Sequence, residues 1–387
     1  MRQDTAAMPP PSAPLLPSFR IQGFRAFRDL EIPRLGRVNL IVGKNNVGKT
    51  TLLEAIKVYA AGLEAAWELR DLLERRQEIQ RGALRDKAQS PIDVDRMFFH
   101  GPPQDRPKSI RLGPLQGDKE LRIQSGRLVI PVQSQEPDVR AHFVMEGDAR
   151  FYEELQSDEA LEVRYGASPP RRSRIRALND AIAASTSEAR RKSHPEQRGS
   201  LVCNYVPVRG LDRSSIGALW DNIVLTANEQ SAVDALRLIL PDIERISLIE
   251  DSRQPGMRYA LVARARHPIP EPLQSMGDGM TRIFELALGL VSSGNGLFLI
   301  DEIENGIHYS IREQLWRFIF EASSQLNVQV FATTHSWDCI SAFQKAASAH
   351  PEDGMLISLA QTDGDIKATV FNEGDLEIIT RESIEVR

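Results

Sequence analysis

Apolar positions along the chain switch between two periods. Residues 19–30 (FRIQGFRAFRDL) and 37–42 predict two strands with a turn between them, and the second runs into Gly43. From about Gly48 the period lengthens. Leu52, Leu53, Ile56, Tyr59 and Leu63 fall at helical spacing and predict a helix that continues through a charged segment to about Ala88. Between 93 and 145, short β-like runs (SIRLG, ELRIQ, RLVIPVQ, VRAHFVM) alternate with Gly and Pro turns, which predicts a meander. Residues 146–200 are polar and are expected to be helical.

The second half is more regular. Residues 201–209 (LVCNYVPVR) read as a strand. Helices are expected around 214–226 and 229–240, where Pro241 stops the second. ERISLIED and MRYALVARAR read as a pair of strands. Helix 275–292, strand 297–301, helix 307–323, strand 328–333, helix 337–347 and strand 355–359 then follow. Such alternation predicts an α/β fold, a mostly parallel sheet flanked by helices. An antiparallel β region and a helical insert accompany it. Four regions result: a disordered Pro-rich tail (1–18), the first half of the main α/β domain (19–61), an insert (62–200) and the second half (201–387).

Composition narrows the class. The length of 387 residues fits two domains or one with a large insert. A net charge of −5 excludes a general nucleic-acid polycation. Cys203 and Cys339 are far apart and suggest neither a zinc site nor a disulfide framework, as expected of a reducing, cytoplasmic setting. No apolar run nears the roughly 20 residues of a membrane helix, so a soluble protein is expected.

Gly43-Lys44-Asn45-Asn46-Val47-Gly48-Lys49-Thr50-Thr51 contains G-x-x-x-x-G-K-[ST] between a predicted strand and a predicted helix. The glycines let successive backbone N–H groups turn toward phosphate oxygens, and the helix adds the positive end of its dipole. Lys49 is expected on the β- and γ-phosphates, and the Thr50 hydroxyl on Mg2+. No Asn is followed by Lys, no Asp-x-x-Gly occurs and no His-Arg-Asp occurs, so neither a GTPase nor a protein kinase is indicated.

Two further strand ends carry chemistry. LFLIDEIENGIH ends an apolar run in Asp301-Glu302. Asp301 is expected to hold Mg2+ and Glu302 to act as general base toward water. VQVFATTHSWD ends in Thr333-Thr334-His335, where His335 can donate to the γ-phosphate or the attacking water. QSMGDGMTRIFELALGL sets Ser275, Gly277, Asp278 and Gly279 before an amphipathic helix. Alone that is a flexible N-cap; ahead of the acidic strand it is a candidate anion grip.

The order of these motifs resembles a P-loop NTPase of the ABC-ATPase type. The resemblance implies that two heads pair head to tail, the Ser275–Gly279 signature of one capping ATP on the phosphate loop of the other. FRIQGFRAFRDLEI, SMGDGMTRIFELAL and DEIENGIH look like the ATPase domain of the OLD (overcoming-lysogenization-defect) family and of stand-alone ATPases in bacterial antiphage defence. GALWDNIVLTANEQ also looks familial. About fifty residues follow His335, too few for the TOPRIM nuclease of that family. The signature differs from the transporter form Leu-Ser-Gly-Gly-Gln. The resemblance thus implies an ATP- and Mg2+-dependent homodimer or higher oligomer controlling a separate, nuclease-like effector. A DNA-repair ATPase clamping DNA and an ATP-binding scaffold with little turnover stand as alternatives.

Arg171, Arg172, Arg174, Arg176, Arg190, Arg191 and Lys192 form a basic cluster that reads either as a solvated helix face or as a contact to phosphodiester backbone or an acidic partner. Arg25 and Arg28 precede the phosphate loop at a spacing that says little. Trp67, Trp220, Trp316 and Trp337 are expected in the core.

Overall fold

A computed structural model describes residues 13–78, 94–99, 109–130, 142–145, 156–178, 201–251 and 258–382. Strands β1 (Phe19–Phe24) and β2 (Phe27–Ile32) form a hairpin, so the single strand expected over 19–30 is two. Arg25, at φ 49°, reverses the chain between them. Strand β3 (Val38–Gly43) leads into helix α1 (Lys49–Ala60). The helix does not continue to residue 88. Gly62, at φ 56°, interrupts it, and α2 (Ala65–Arg75) starts afresh. The remainder of that expectation, 79–88, lies outside the described residues.

Strands β4 (Ser109–Gly113), β5 (Leu121–Ile130) and β6 (His142–Met145) occupy the expected meander. Strands β7 (Gln156–Tyr165) and β8 (Arg171–Arg174) extend it where a helix was expected; of that expectation over 146–200, residues 175–178 are helical, and 146–155 and 179–200 lie outside the described residues. The polar sequence hid a strand because Glu162, only 2% exposed, is held between Arg164 and Arg172 at 2.8 and 2.9 Å. Arg171 pairs with Glu64, and Arg174 with Asp158. The described part of the basic cluster is therefore largely matched by acids. Arg190, Arg191 and Lys192 lie outside the described residues.

From residue 201 the described chain adds strands beside β3 and the helices that cover them. This part comprises β9 (Cys203–Val206), α3 (Arg213–Ile223), α4 (Ala227–Arg237), β10 (Ile243–Glu250), β11 (Arg258–Arg264), β12 (His267–Pro272) and α5 (Asp278–Val291). Then come β13 (Leu297–Ile300), α6 (Tyr309–Gln325), β14 (Gln329–Thr333), α7 (Trp337–Ala347), β15 (Gly354–Thr362), β16 (Asp365–Phe371) and α8 (Glu373–Arg381). Sequence reading missed β12, whose HPIPEP is tolerated because it is an edge strand. It also missed β16 and α8.

Among the described residues three sheets form. One is antiparallel, in the order β2-β1-β4-β5-β7-β8 with β6 also on β5; one is β10-β11-β12; the third is β16-β15-β3-β14-β13-β9. In the third sheet β15, β3, β14, β13 and β9 run parallel, and β16 returns antiparallel. Its side chains alternate between two cores. Val38, Leu40, Phe298, Ile300, Val330 and Ala332 pack with α3 to α8. Ile41, Leu297, Leu299, Phe331 and Ile357 pack with α1, α2 and the antiparallel sheet. The central strands are thus buried throughout and mostly apolar, because both faces are covered.

Within the segment expected as a disordered tail, residues 13–18 belong to the fold. Leu16 is buried, and its N–H and C=O both bond the buried Gln329 amide at 2.8 Å. Residues 1–12 lie outside the described residues. Trp220 and Trp316 are core residues; Trp67 and Trp337 pack partly buried against the core. GALWDNIVLTANEQ forms α3, a turn and α4, seated on α5 through Trp220–Phe284 (6.0 Å) and an Asn228–Val291 hydrogen bond. Among the described residues no helix is long and apolar enough to cross a membrane.

Candidate functional site

The carboxyl ends of β3, β14 and β13 lie side by side, so the loops that follow them converge on one edge. A cleft of about 560 Å³ opens there, lined by Ala26, Asn45, Asn46, Gly48, Lys49, Thr50, Thr51, Arg76, Asp301 and Glu302. The loop geometry depends on its glycines. Gly43 is at φ 147°, and a Cβ there would meet the Leu359 carbonyl at 2.6 Å. Gly48 is at φ 95°, with the Phe27 ring 2.9 Å from where a Cβ would stand. Asn46 also takes a left-handed φ of 65°, while Val47 is buried and braces the loop against Gly43. Asn46 and Gly48 thus place left-handed backbone ahead of α1, the pattern of loops that gather amides around an anion.

Lys49 donates to the carbonyls of Gly43 (2.7 Å) and Lys44 (3.1 Å). Burial pushes its ammonium below the usual lysine value, against the opposing pull of Glu302, Asp301 and Glu304. Thr50 donates to the Asp301 carboxylate, 3.1 and 2.9 Å from its two oxygens. Asp301 also accepts from Thr333 at 2.6 Å and from Tyr205 at 3.4 Å. The Glu302 N–H bonds Thr333 Oγ1 at 2.8 Å, and Glu302 stands at φ 48°. The His335 N–H bonds Glu304 Oε1 at 3.0 Å; its ring Nδ1 is 3.2 Å from Glu304 and 3.8 Å from Glu302.

Asn45, Asn46, Gly48, Lys49, Thr50, Thr51, Asp301 and Glu302 thus share one cleft, and His335 approaches it through Glu302. Ser275, Gly277, Asp278 and Gly279 do not line it. Ser275 bonds the Pro272 carbonyl, Gly277 (φ 99°) caps α5, and a Cβ on Gly279 would lie 3.0 Å from the Gly306 carbonyl. The glycine segment therefore abuts the loop after the acidic pair.

Several site residues were invisible in the sequence. Arg76 reaches the cleft from the end of α2, doubly bonded to Glu54 at 2.7 and 2.9 Å. Burial works against its charge, but Glu54 and Glu78 outweigh it and raise its pKa. Arg25 turns to Glu78 and Glu54 instead of the cleft, and Arg28 to Asp365 and Phe99. Tyr205, Glu304, Thr333 and Arg282 join the acidic strand end from β9, the following loop, β14 and α5. No local signal marks them, because each acts across the fold. Their partners lie 31 to 96 residues away for Glu304, Thr333 and Tyr205.

Phosphate loop, acidic strand end and mixed α/β layers fit a P-loop ATPase with an AAA domain. The chain belongs to the family described as "AAA domain, putative AbiEii toxin, Type IV TA system", whose pattern matches residues 124–338; a second pattern, "AAA domain", matches 18–81. An "ATP/GTP phosphatase" of Helicobacter pylori is 20% identical over 359 residues, covering 84% of this chain and 86% of that protein. An uncharacterized protein of Methanocaldococcus jannaschii is 36% identical over 50 residues, 13% of this chain and 23% of that one. Among solved structures, the chain is similar to an SMC head bound to the C-winged helix domain of ScpA. Identity is 14%, coverage 93% of this chain and 98% of that one, and TM-score 0.49. For the SMC head domain from Thermotoga maritima the values are 14%, 92%, 99% and 0.43. The chain is an ATP-binding ATPase.

Proposed function

We propose that this chain hydrolyses ATP with Mg2+ at a site completed by a second copy of itself, and that dimer closure and opening govern a separate effector protein. The observation that carries the reading is the division of the site. Lys49, Thr50, Asp301 and Glu302 share a cleft, whereas Ser275, Gly277, Asp278 and Gly279 stand outside it. A two-fold related copy is the geometry that would return such a segment to a phosphate.

The donor set fits Mg2+. Thr50 hydroxyl and Asp301 carboxylate are hard oxygens facing each other at about hydrogen-bond distance, 2.9 Å at the nearer oxygen. Among the described residues no cluster of three His, Cys, Asp or Glu side chains forms a closed metal cage. That suits an ion held by one or two protein oxygens, phosphates and water. Bound there, Mg2+ would neutralise charge on the β- and γ-phosphates. Lys49 leaves the Gly43 and Lys44 carbonyls for phosphate oxygens, and the loop amides cradle them. Glu302 takes a proton from water as the water oxygen bonds the γ-phosphorus and the bridging oxygen leaves with ADP. His335, oriented by Glu304, donates to the γ-phosphate.

The phrases resembling OLD-type ATPases support a role in antiviral defence with a nuclease-like effector, and the family's description names a Type IV TA system. A DNA-clamping reading draws less support, because Arg171, Arg172 and Arg174 already pair with carboxylates. The test is Glu302→Gln. It should retain ATP binding, lose turnover by about 10²–10⁴-fold, and shift from monomer to dimer when ATP is added, read by sedimentation. A variant that stays monomeric with saturating ATP would overturn the shared site. DNA-stimulated turnover in the wild type would favour the clamp.

A further inference from the structure

The backbone of Glu302 is unusual. A non-glycine residue at φ 48° is in the left-handed region and persists only when its surroundings enforce it. Two side chains from distant elements grip its peptide groups. On the amide side, the fully buried Thr333 of β14 accepts the Glu302 N–H at 2.8 Å, while its own hydroxyl donates to Asp301 at 2.6 Å. On the carbonyl side stands Arg282 of α5, 5% exposed. Its Nη2 donates to the carbonyls of Asp301 (2.8 Å) and Glu302 (3.2 Å), and its Nη1 to Pro207 (2.8 Å) at the end of β9. The nearest carboxylate it meets, Glu285, is 3.8 Å away. Burial lowers its pKa, against the pull of Glu285, Asp301 and Glu304.

A buried guanidinium whose bonds go to backbone carbonyls serves the geometry of those carbonyls more than an ion pair. Asp301 does not depend on it: Thr50, Thr333 and Tyr205 hold that carboxylate. Glu302 has no comparable side-chain support. The His335 ring nitrogen, 3.8 Å away, is within ion-pair reach but not hydrogen-bond reach, so the left-handed backbone is what chiefly aims the carboxylate. Released from the clamp, residue 302 would relax toward right-handed or extended φ, and the carboxylate would swing from the cleft.

We propose that Arg282 is a positioning residue for Glu302: from helix α5 it holds the carbonyl side of a left-handed peptide whose amide side Thr333 holds, and so keeps the carboxylate facing the phosphate cleft. The inference rests on Glu302 being the general base. Because α5 begins at the Gly277–Gly279 segment, it also joins that segment to the acidic loop of the same chain.

A double-mutant cycle on the full chain tests this. Turnover and affinity for a labelled ATP analogue are measured for Arg282→Met, Glu302→Gln and the pair. Arg282→Met should lower kcat by about 10²-fold, the scale of a displaced reacting group, with analogue affinity unchanged. In the Glu302→Gln background it should lower kcat further by no more than about twofold, because a residue acting through Glu302 has nothing left to position. Multiplying losses, or wild-type kcat in Arg282→Met, would overturn the proposal. Wild-type turnover in Glu302→Gln alone would instead overturn the general-base reading on which it rests. Should Arg282→Met not fold, Arg282→Lys, which keeps the charge but not the fork, is read by the same criteria.

Discussion

Lys49 sits among three carboxylates yet bonds none of them; its ammonium is parked on two carbonyls of its own loop. Those bonds are local, and no other element of the fold relies on them. Lys49→Ala should therefore leave the thermal unfolding midpoint nearly unchanged while weakening binding of an ATP analogue by about 10-fold to 100-fold, the scale of charged hydrogen bonds. Undiminished affinity in a folded variant would remove Lys49 from the phosphate site. A second residue-scale effect concerns Glu285. Burial raises its carboxyl to about 6 from 4.5, against the Leu211 backbone bond and Arg282. The folded state then holds this proton more tightly than the unfolded chain. Its contribution to stability is present below pH 4.5 and is lost as pH rises through about 6. Glu285→Gln removes the ionisation, so the melting temperature of the variant relative to wild type should climb between pH 4.5 and about 6.5 and then level off. A difference independent of pH would contradict this.

At the scale of elements, α5 packs against β13 at a contact only glycine permits. A Cβ on Gly289 would stand 2.3 Å from the Phe298 ring, and Phe298 is fully buried with nowhere to retreat. Gly289→Ala should cost about 1–3 kcal/mol by denaturant titration, and adding Phe298→Leu should return part of it. If the two losses simply add, the contact is not what sets the helix–sheet distance. The same elements show what sequence can and cannot reveal. Strands β3, β13 and β14 were legible because each is an apolar run ending in Gly, Asp-Glu or Thr-Thr-His, and the starts of helices α1, α5 and α7 because apolar positions recur there at helical spacing. The strands β7, β8 and β12 were not. Charge pairing across neighbouring strands made β7 and β8 look like a polar helix, and prolines made β12 look like loop. The phosphate loop and acidic pair were readable as local motifs. Arg76, Thr333, Glu304 and Arg282 were not, since their roles exist only where separate elements meet.

At the scale of the whole molecule, the division of the site makes a demand on assembly. The cleft residues belong to loops at one edge of the parallel sheet, and the glycine segment at the start of α5 abuts Gly306 beyond that cleft. One chain alone would bind ATP in an incomplete cage and turn it over slowly. Two chains related by two-fold symmetry would make two composite sites, each joining one phosphate loop to the other chain's Gly277 and Gly279. Complementation separates these pictures. Lys49→Ala takes the ammonium out of a chain's phosphate site, and Gly277→Asp puts a side chain at a position of φ 99° that strains it, next to Asp278. Each variant alone should be inactive. In a mixed dimer both lesions fall on one composite site and leave the other whole. An equimolar mixture should thus recover part of wild-type turnover, in proportion to the mixed dimers formed. Recovery absent from a preparation in which mixed dimers are demonstrated by differential tagging would argue that each chain carries its whole site. Full activity in either variant alone would say the same.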